Sequence, residues 1–223
     1  MEFRPTSTLI LLLLISSACQ PRTVVPAEEL TRVPQATHAP AEVASPTRAP
    51  AEEPVELPAS TSTPETRAVQ ALDLAFADSD WDGKEIPAGQ QCNRQGGQNP
   101  ATPRIQVSNI PEGADALILE FSDGTYAPMD RGGHGRIGVE ISKGTREVVI
   151  ASVPGHTFEL PQGVFLVQEH RAASFDTAGA YMPPCSGGAG NSYYVTVKAV
   201  KVLSKDDNTF DLLGQGLLDL GKY

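Results

Sequence analysis

Tyr193-Tyr-Val-Thr-Val-Lys-Ala-Val-Lys-Val202 is the clearest alternating stretch of the chain, with Tyr193, Val195, Val197 and Ala199 facing one way and Tyr194, Thr196 and Lys198 the other. Period two is the signature of a strand with one face toward a core. Working outward, Arg104 to Val107 alternates in the same way, and Val148 to Val153 is β-branched and ends at Pro154-Gly155. Gly163 to Val167 is a further short strand candidate. Ala116 to Phe121 is a near-continuous apolar run bounded by Gly113 and Gly124, as suits a strand buried on both faces. One segment reads differently. Phe210, Leu213, Leu217 and Leu220 recur at spacings of three and four after Asp206, Asp207 and Asn208, which predicts a short C-terminal helix. Gly214 and Gly216 weaken that helix by about 1 kcal/mol each relative to Ala. The pattern predicts a mainly β, mostly antiparallel domain with an appended helix. Neither an internal repeat nor a βαβ rhythm is visible.

The first seventy residues have another composition. Arg4 supplies a weak positive region, Leu9 to Ile15 an unbroken apolar stretch, and Ser16-Ser17-Ala18 the small residues that precede cleavage. Such a stretch is too short for a bilayer span, which takes about 20 residues. Cys19 follows at once, so residues 1–19 are expected to be a lipoprotein signal peptide whose cysteine is acylated; an ordinary signal peptide with an incidental cysteine is the alternative. Residues 20–70 are rich in Pro, Ala, Thr and Glu, with no Phe, Trp or Tyr. They cannot repay their ordering entropy by apolar burial, and their prolines block regular ladders, so a semi-stiff tether is expected. His38 has no evident partner there. Residues 71–223 then form the folded domain, held off a membrane in the cell envelope.

The net charge of −10 and the lack of a Lys or Arg cluster exclude a nucleic-acid binder. Of three cysteines, Cys92 and Cys185 fall in the folded part. In an oxidising compartment their pairing is expected, a catalytic or metal-bound thiol being the rival. No cofactor or metal is expected. Asp78-Ser-Asp80-Trp-Asp82-Gly83 copies the first half of a calcium loop, but Gly89 stands where the bidentate Glu belongs, so an acidic turn is expected. Ser186 lacks the flanking Gly of a nucleophile elbow, and zinc-protease, phosphate-loop and dinucleotide fingerprints are missing, which points away from an enzyme.

Several segments, taken in order, resemble the bacterial branch of the phosphatidylethanolamine-binding proteins: Gly83-Lys-Glu-Ile-Pro87 with Cys92 beyond it; Ile110-Pro-Glu-Gly113 before the apolar strand; Val153-Pro-Gly-His-Thr-Phe-Glu-Leu-Pro-Gln-Gly163; Ala178-Gly-Ala-Tyr-Met-Pro-Pro-Cys185; and Gly214 to Tyr223. The resemblance implies two antiparallel sheets in a Greek-key arrangement with peripheral helices. It also implies a small cavity, lined in the family by an Asp-Pro-Asp-x-Pro loop and two histidines, for anionic headgroups such as phosphate.

This sequence departs from that lining. In Ser122-Asp123-Gly-Thr-Tyr126-Ala-Pro128, Asp123 is the one acidic residue kept, and Tyr126 takes the place of the second. On this alignment Glu147 and Ser192 stand at the histidine positions. Arg131-Gly-Gly-His134-Gly-Arg136 offers a replacement imidazole and guanidinium. The candidate ligand residues are therefore Asp123, Tyr126, His134, Arg136 and Glu147, for a small anionic ligand; a protein partner is not specified. A degenerate pocket in an envelope interaction domain is the alternative. His170 reads as a solvated strand end and His156 as a turn residue.

Overall fold

The computed structural model describes residues 68–223. The signal segment, Cys19, His38 and the spacer up to residue 67 lie outside the described residues. Among the described residues no helix is long and apolar enough to cross a membrane.

Among the described residues nine strands form in chain order: β1 (Gln70–Ala71), β2 (Asp73–Phe76), β3 (Ile105–Ser108), β4 (Ala116–Asp123), β5 (Arg136–Glu140), β6 (Val148–Ile150), β7 (Val164–Gln168), β8 (Ser192–Ser204) and β9 (Thr209–Lys222). β1 opens at Gln70, one residue inside the segment read as spacer. Helix among the described residues is confined to two single turns of 3-10 type, Asn93–Gln95 and Ala127–Met129. The strands make a six-stranded sheet in the order β1-β9-β8-β4-β5-β7 and a three-stranded sheet in the order β2-β3-β6. Every pairing is antiparallel except β1 with β9. Within the larger sheet β4, β5 and β7 lie side by side and β8 returns to the free edge of β4, which is Greek-key order.

The expected C-terminal helix is strand β9. Two bulges disguised it. Between Ala199 and Val200 of β8 the partner jumps from Gly214 to Leu212, and between Tyr193 and Tyr194 it jumps from Gly221 to Asp219. Leu213 and Leu220 are the extra residues, and both are buried. Each bulge shifts the period-two pattern by one, so the apolar residues recur at three and four. Gly214 and Gly216, read as helix-weakening, are steric necessities. A Cβ there would stand 2.9 Å from the Gln70 carbonyl oxygen and 2.8 Å from that of Leu72, because the chain from β1 to Leu72 runs hard against β9.

The core fills the space between the sheets. Leu117, Leu119 and Phe121 of β4 and Val195, Val197 and Ala199 of β8 meet Ile105, Val107 and Ile150 of the smaller sheet, all nearly or fully buried. Each such large side chain contributes about 1.5–3 kcal/mol through apolar burial. The opposite face of β4 is also covered, since Ala116 and Ile118 pack with Val200 under Phe165, Val167, Phe210 and Leu212. That two-sided burial is why β4 reads as a continuous apolar run.

Cys92 and Cys185 form a disulfide across 93 residues, with Cα atoms 5.2 Å apart. It ties the segment before β3 to the loop leading into β8. On the chain-entropy account a loop of that length stabilises the fold by about 4–5 kcal/mol.

Candidate functional site

A cavity of about 470 Å³ opens where the C-terminal end of β4 meets the loops before β5 and β8. That size suits a small ligand. β4 delivers Asp123 to its floor, where the carboxylate is buried. Its Oδ1 accepts the backbone N–H of Thr125 at 2.8 Å and of Tyr126 at 3.0 Å, while Oδ2 accepts Asn191 Nδ2 at 2.6 Å. The first two bonds fold the chain back sharply and carry Tyr126, half exposed, to the rim.

His134 comes from the turn between β4 and β5. Its N–H donates to the Phe121 carbonyl at 3.0 Å and its own carbonyl accepts the Met182 N–H at 2.8 Å, so the backbone is held from both sides. The ring is buried, and its edge meets the Tyr193 ring at 5.3 Å with the planes at 89°. Burial pushes the imidazole down to about 4, against the opposing pull of the Met182 carbonyl and Asp123. It is therefore neutral near pH 7. A carbonyl accepts only, so the 2.7 Å contact between Nδ1 and the Met182 oxygen fixes the proton on Nδ1. Nε2 keeps its lone pair as an acceptor.

Arg171 braces the wall. Its guanidinium donates to the carbonyls of Pro128 at 3.2 Å and of Asp130 and Arg131 at 2.9 Å each. Its backbone N–H reaches Gly133 at 2.9 Å, so one residue pins the turn that carries His134. Asp130 is held below its ordinary value, first because the Tyr194 hydroxyl donates to it and then through the Arg131 N–H and the nearby guanidinium groups. The opposite wall is Met182, Cys185, Ser186, Asn191 and Tyr193. The Cys185 N–H donates to the Tyr193 hydroxyl at 3.2 Å, and burial raises that phenol. The Ser186 hydroxyl donates to the Tyr223 carbonyl.

Asp123, Tyr126 and His134 thus line one cavity, as expected from the sequence. Arg136 and Glu147 do not. Arg136 opens β5 on the outer face of the large sheet, 3.4 Å from Glu120 and donating to the Arg131 carbonyl at 2.9 Å. The cause is Gly135, whose φ of 116° turns the chain between His134 and Arg136 and sends them to opposite sides of the sheet. A Cβ at Gly135 would also stand 2.0 Å from the Ala180 oxygen. Glu147 lies beside β6 in the small sheet and accepts a hydrogen bond from Gln106. Ser192 is exposed, and its neighbour Asn191 reaches the cavity instead. Of the other histidines, His170 is buried rather than solvated, with Nε2 2.9 Å from the Thr177 carbonyl. His156 sits in its turn beside Asp176, at φ 60°. The half calcium loop is a turn, as expected: Asp78 takes the Arg104 N–H at 2.7 Å and Asp82 that of Lys84 at 2.9 Å. Arg171 and Asn191 were missed because no motif marks them.

No family profile matches the chain, and no curated protein matches it. Solved structures similar to it include these two. A putative phosphatidylethanolamine-binding protein homologue, CT736 from Chlamydia trachomatis, is 20% identical with a TM-score of 0.43, over 69% of this chain and 97% of its own. YbcL from Escherichia coli, described as a new member of the mammalian phosphatidylethanolamine-binding protein family, is 17% identical with a TM-score of 0.45, over 68% of this chain and 97% of its own.

Proposed function

We propose that the chain is a ligand-binding module, tethered through Cys19 to a membrane outside the cytoplasm, which holds a small phosphate-bearing headgroup without turning it over. The observation that carries this reading is the polarity of the cavity floor. Asp123 is buried with neutral donors only, and among the described residues no ion pair joins it. His134 Nε2 beside it is a second acceptor. Each negative charge of a phosphate 4 Å from Asp123 would be repelled by about 4 kcal/mol at an effective dielectric near 20. The ligand must therefore bring a donor of its own, an ammonium group or the hydroxyl of a monoanionic phosphate, to the floor. Arg171 lines the same cavity and favours the anionic part. A zwitterion such as phosphoethanolamine meets both demands. Binding rather than catalysis is favoured by Ser186, whose hydroxyl is committed to the Tyr223 carbonyl and not to the imidazole.

The test is titration of the chain with phosphoethanolamine, inorganic phosphate and ethanolamine, followed by calorimetry. Saturable binding strongest for phosphoethanolamine is expected. If none of the three saturates, the ligand reading fails and an envelope interaction domain with a degenerate pocket takes its place.

A further inference from the structure

Behind the cavity wall Cys92, Cys185 and Asp176 bring two sulfurs and a carboxylate oxygen within 4.8 Å of one another. The sulfurs are bonded together, Cys92 fully buried and Cys185 lining the cavity, so one side of the disulfide is open to solutes. The side chains of Asp176 and His156 are only 3% and 5% exposed. His156 Nε2 accepts the Asn93 N–H at 3.3 Å, which leaves the proton on Nδ1, 3.6 Å from Asp176 Oδ2. That gap is too long for a hydrogen bond, and Nδ1 is buried without a partner. Asp176 Oδ1 accepts the Thr177 N–H at 2.8 Å, but Oδ2 faces the Cys185 sulfur at 4.0 Å, and a disulfide has no proton to give it and is a poor ligand, so the oxidised state leaves that oxygen without a donor and the imidazole N–H without an acceptor.

We propose that reduction of this disulfide turns the cluster into a site for a thiophilic divalent cation such as Zn²⁺, ligated by the thiolates of Cys92 and Cys185 and by Asp176. His156 is a positioning residue whose Nδ1–H, 3.6 Å from the carboxylate in the oxidised state, closes on it once the cation is bound. Thiolates select such cations, and a fourth, open position faces water from the cavity. The chemistry balances with an external dithiol. Its thiolate attacks the open Cys185 sulfur and expels Cys92 as thiolate; its second sulfur then displaces Cys185 and leaves as a cyclic disulfide. Two electrons reach the protein, and the two protons of the dithiol end on Cys92 and Cys185. Cation binding releases both protons, and two thiolates, one carboxylate and M²⁺ leave a site of net charge −1.

The experiment uses the full chain carrying Cys19→Ser, so that Cys92 and Cys185 are its sole thiols. The protein is reduced with a dithiol, freed of it without air, and titrated with Cd²⁺ and Zn²⁺. A thiolate-to-cadmium charge-transfer band that saturates at one equivalent, is absent from the oxidised chain and is displaced by Zn²⁺ is expected. Asp176→Asn should weaken the affinity about tenfold or more. No band in the reduced chain, or unchanged affinity in Asp176→Asn, overturns the proposal. Should reduction abolish the near-ultraviolet circular dichroism of the folded domain, its return with one equivalent of Zn²⁺ supports the site and its failure to return overturns it.

Discussion

β4 carries two carboxylates three residues apart, and they have opposite fates. Glu120 points to the outer face, where Lys198 Nζ lies 2.8 Å and Arg136 Nε 3.4 Å from it. Asp123, at the strand's end, points into the cavity and meets two peptide N–H groups and an amide, all neutral. The first charge is matched by cations of the fold itself. The second is solvated by dipoles but not neutralised, and that leaves an electrostatic demand which an incoming ligand can meet. Charge compensation within the fold, rather than burial, separates a structural acid from a site acid here.

The comparison breaks most strongly at the disulfide. Reducing Cys92–Cys185 without added metal should lower stability by about 4–5 kcal/mol, read from denaturant midpoints. The damage should be one-sided. Ser186 and Asn191 lie in the loop that Cys185 anchors, so hydrogen exchange there should quicken, whereas Lys198 and Glu120 sit in the β4–β8 ladder and should not respond. Equal quickening on both faces would mean that the disulfide supports the whole fold and not the cavity wall.

The next effect comes from His134. Its folded value of about 4 lies below the 6.5 of an unfolded histidine, so the unfolded chain binds the extra proton first. The stability tied to the neutral ring is whole above pH 6.5 and is lost as pH falls toward 4. At 1.36 kcal/mol per unit the loss between pH 7 and 4 is about 3 kcal/mol. His134→Gln keeps a donor for the Met182 carbonyl but does not titrate. The difference between the pH–stability curves of the two proteins should therefore show this drop, and parallel curves would remove the buried neutral imidazole from the account of the site.

How much of this was open to reading depended on whether alternation survived along the chain. β3, β4, β6, β7 and β8 carry intact patterns and were legible as strands. β9 was not, because bulges at Leu213 and Leu220 converted period two into apparent helical spacing. β5 escaped notice because Gly138 interrupts it, and the Phe165 ring lies where a side chain would be. Asp123 and His134 were legible from chemistry, an acid ending an apolar strand and a histidine between glycines. Glu147 was assigned by alignment alone, and no local physics tied it to the cavity. Arg136 followed from proximity in sequence to His134, which one positive φ at Gly135 undoes. Arg171 and Asn191 act through long-range contacts that no spacing encodes.

Asp123→Asn isolates the floor charge. The amide keeps the shape and one acceptor oxygen, and a cost of about 1–2 kcal/mol is expected from the bonds that lose their charge assistance. Binding should suffer more in proportion, with affinity for phosphoethanolamine falling about tenfold or more and that for inorganic phosphate falling less or rising, because the repulsion is gone. Equal losses for both ligands would show that Asp123 orders the loop and does not select the ammonium.

Glu120→Gln is the matched control on the other face and should have the smallest effect. Its partners are only about 30% exposed, with Lys198 at 30% and Arg136 at 29%, yet both are long side chains that can turn toward water once the acid is gone. The stability cost should stay below about 1 kcal/mol and shrink further as salt is added, since it rests on a partly screened ion pair. Ligand affinity should not move, because the sheet lies between Glu120 and the cavity. A tenfold change in phosphoethanolamine affinity with Glu120→Gln would mean that the two faces of β4 are coupled, and the contrast between its two carboxylates would then have to be drawn along the strand instead of across it.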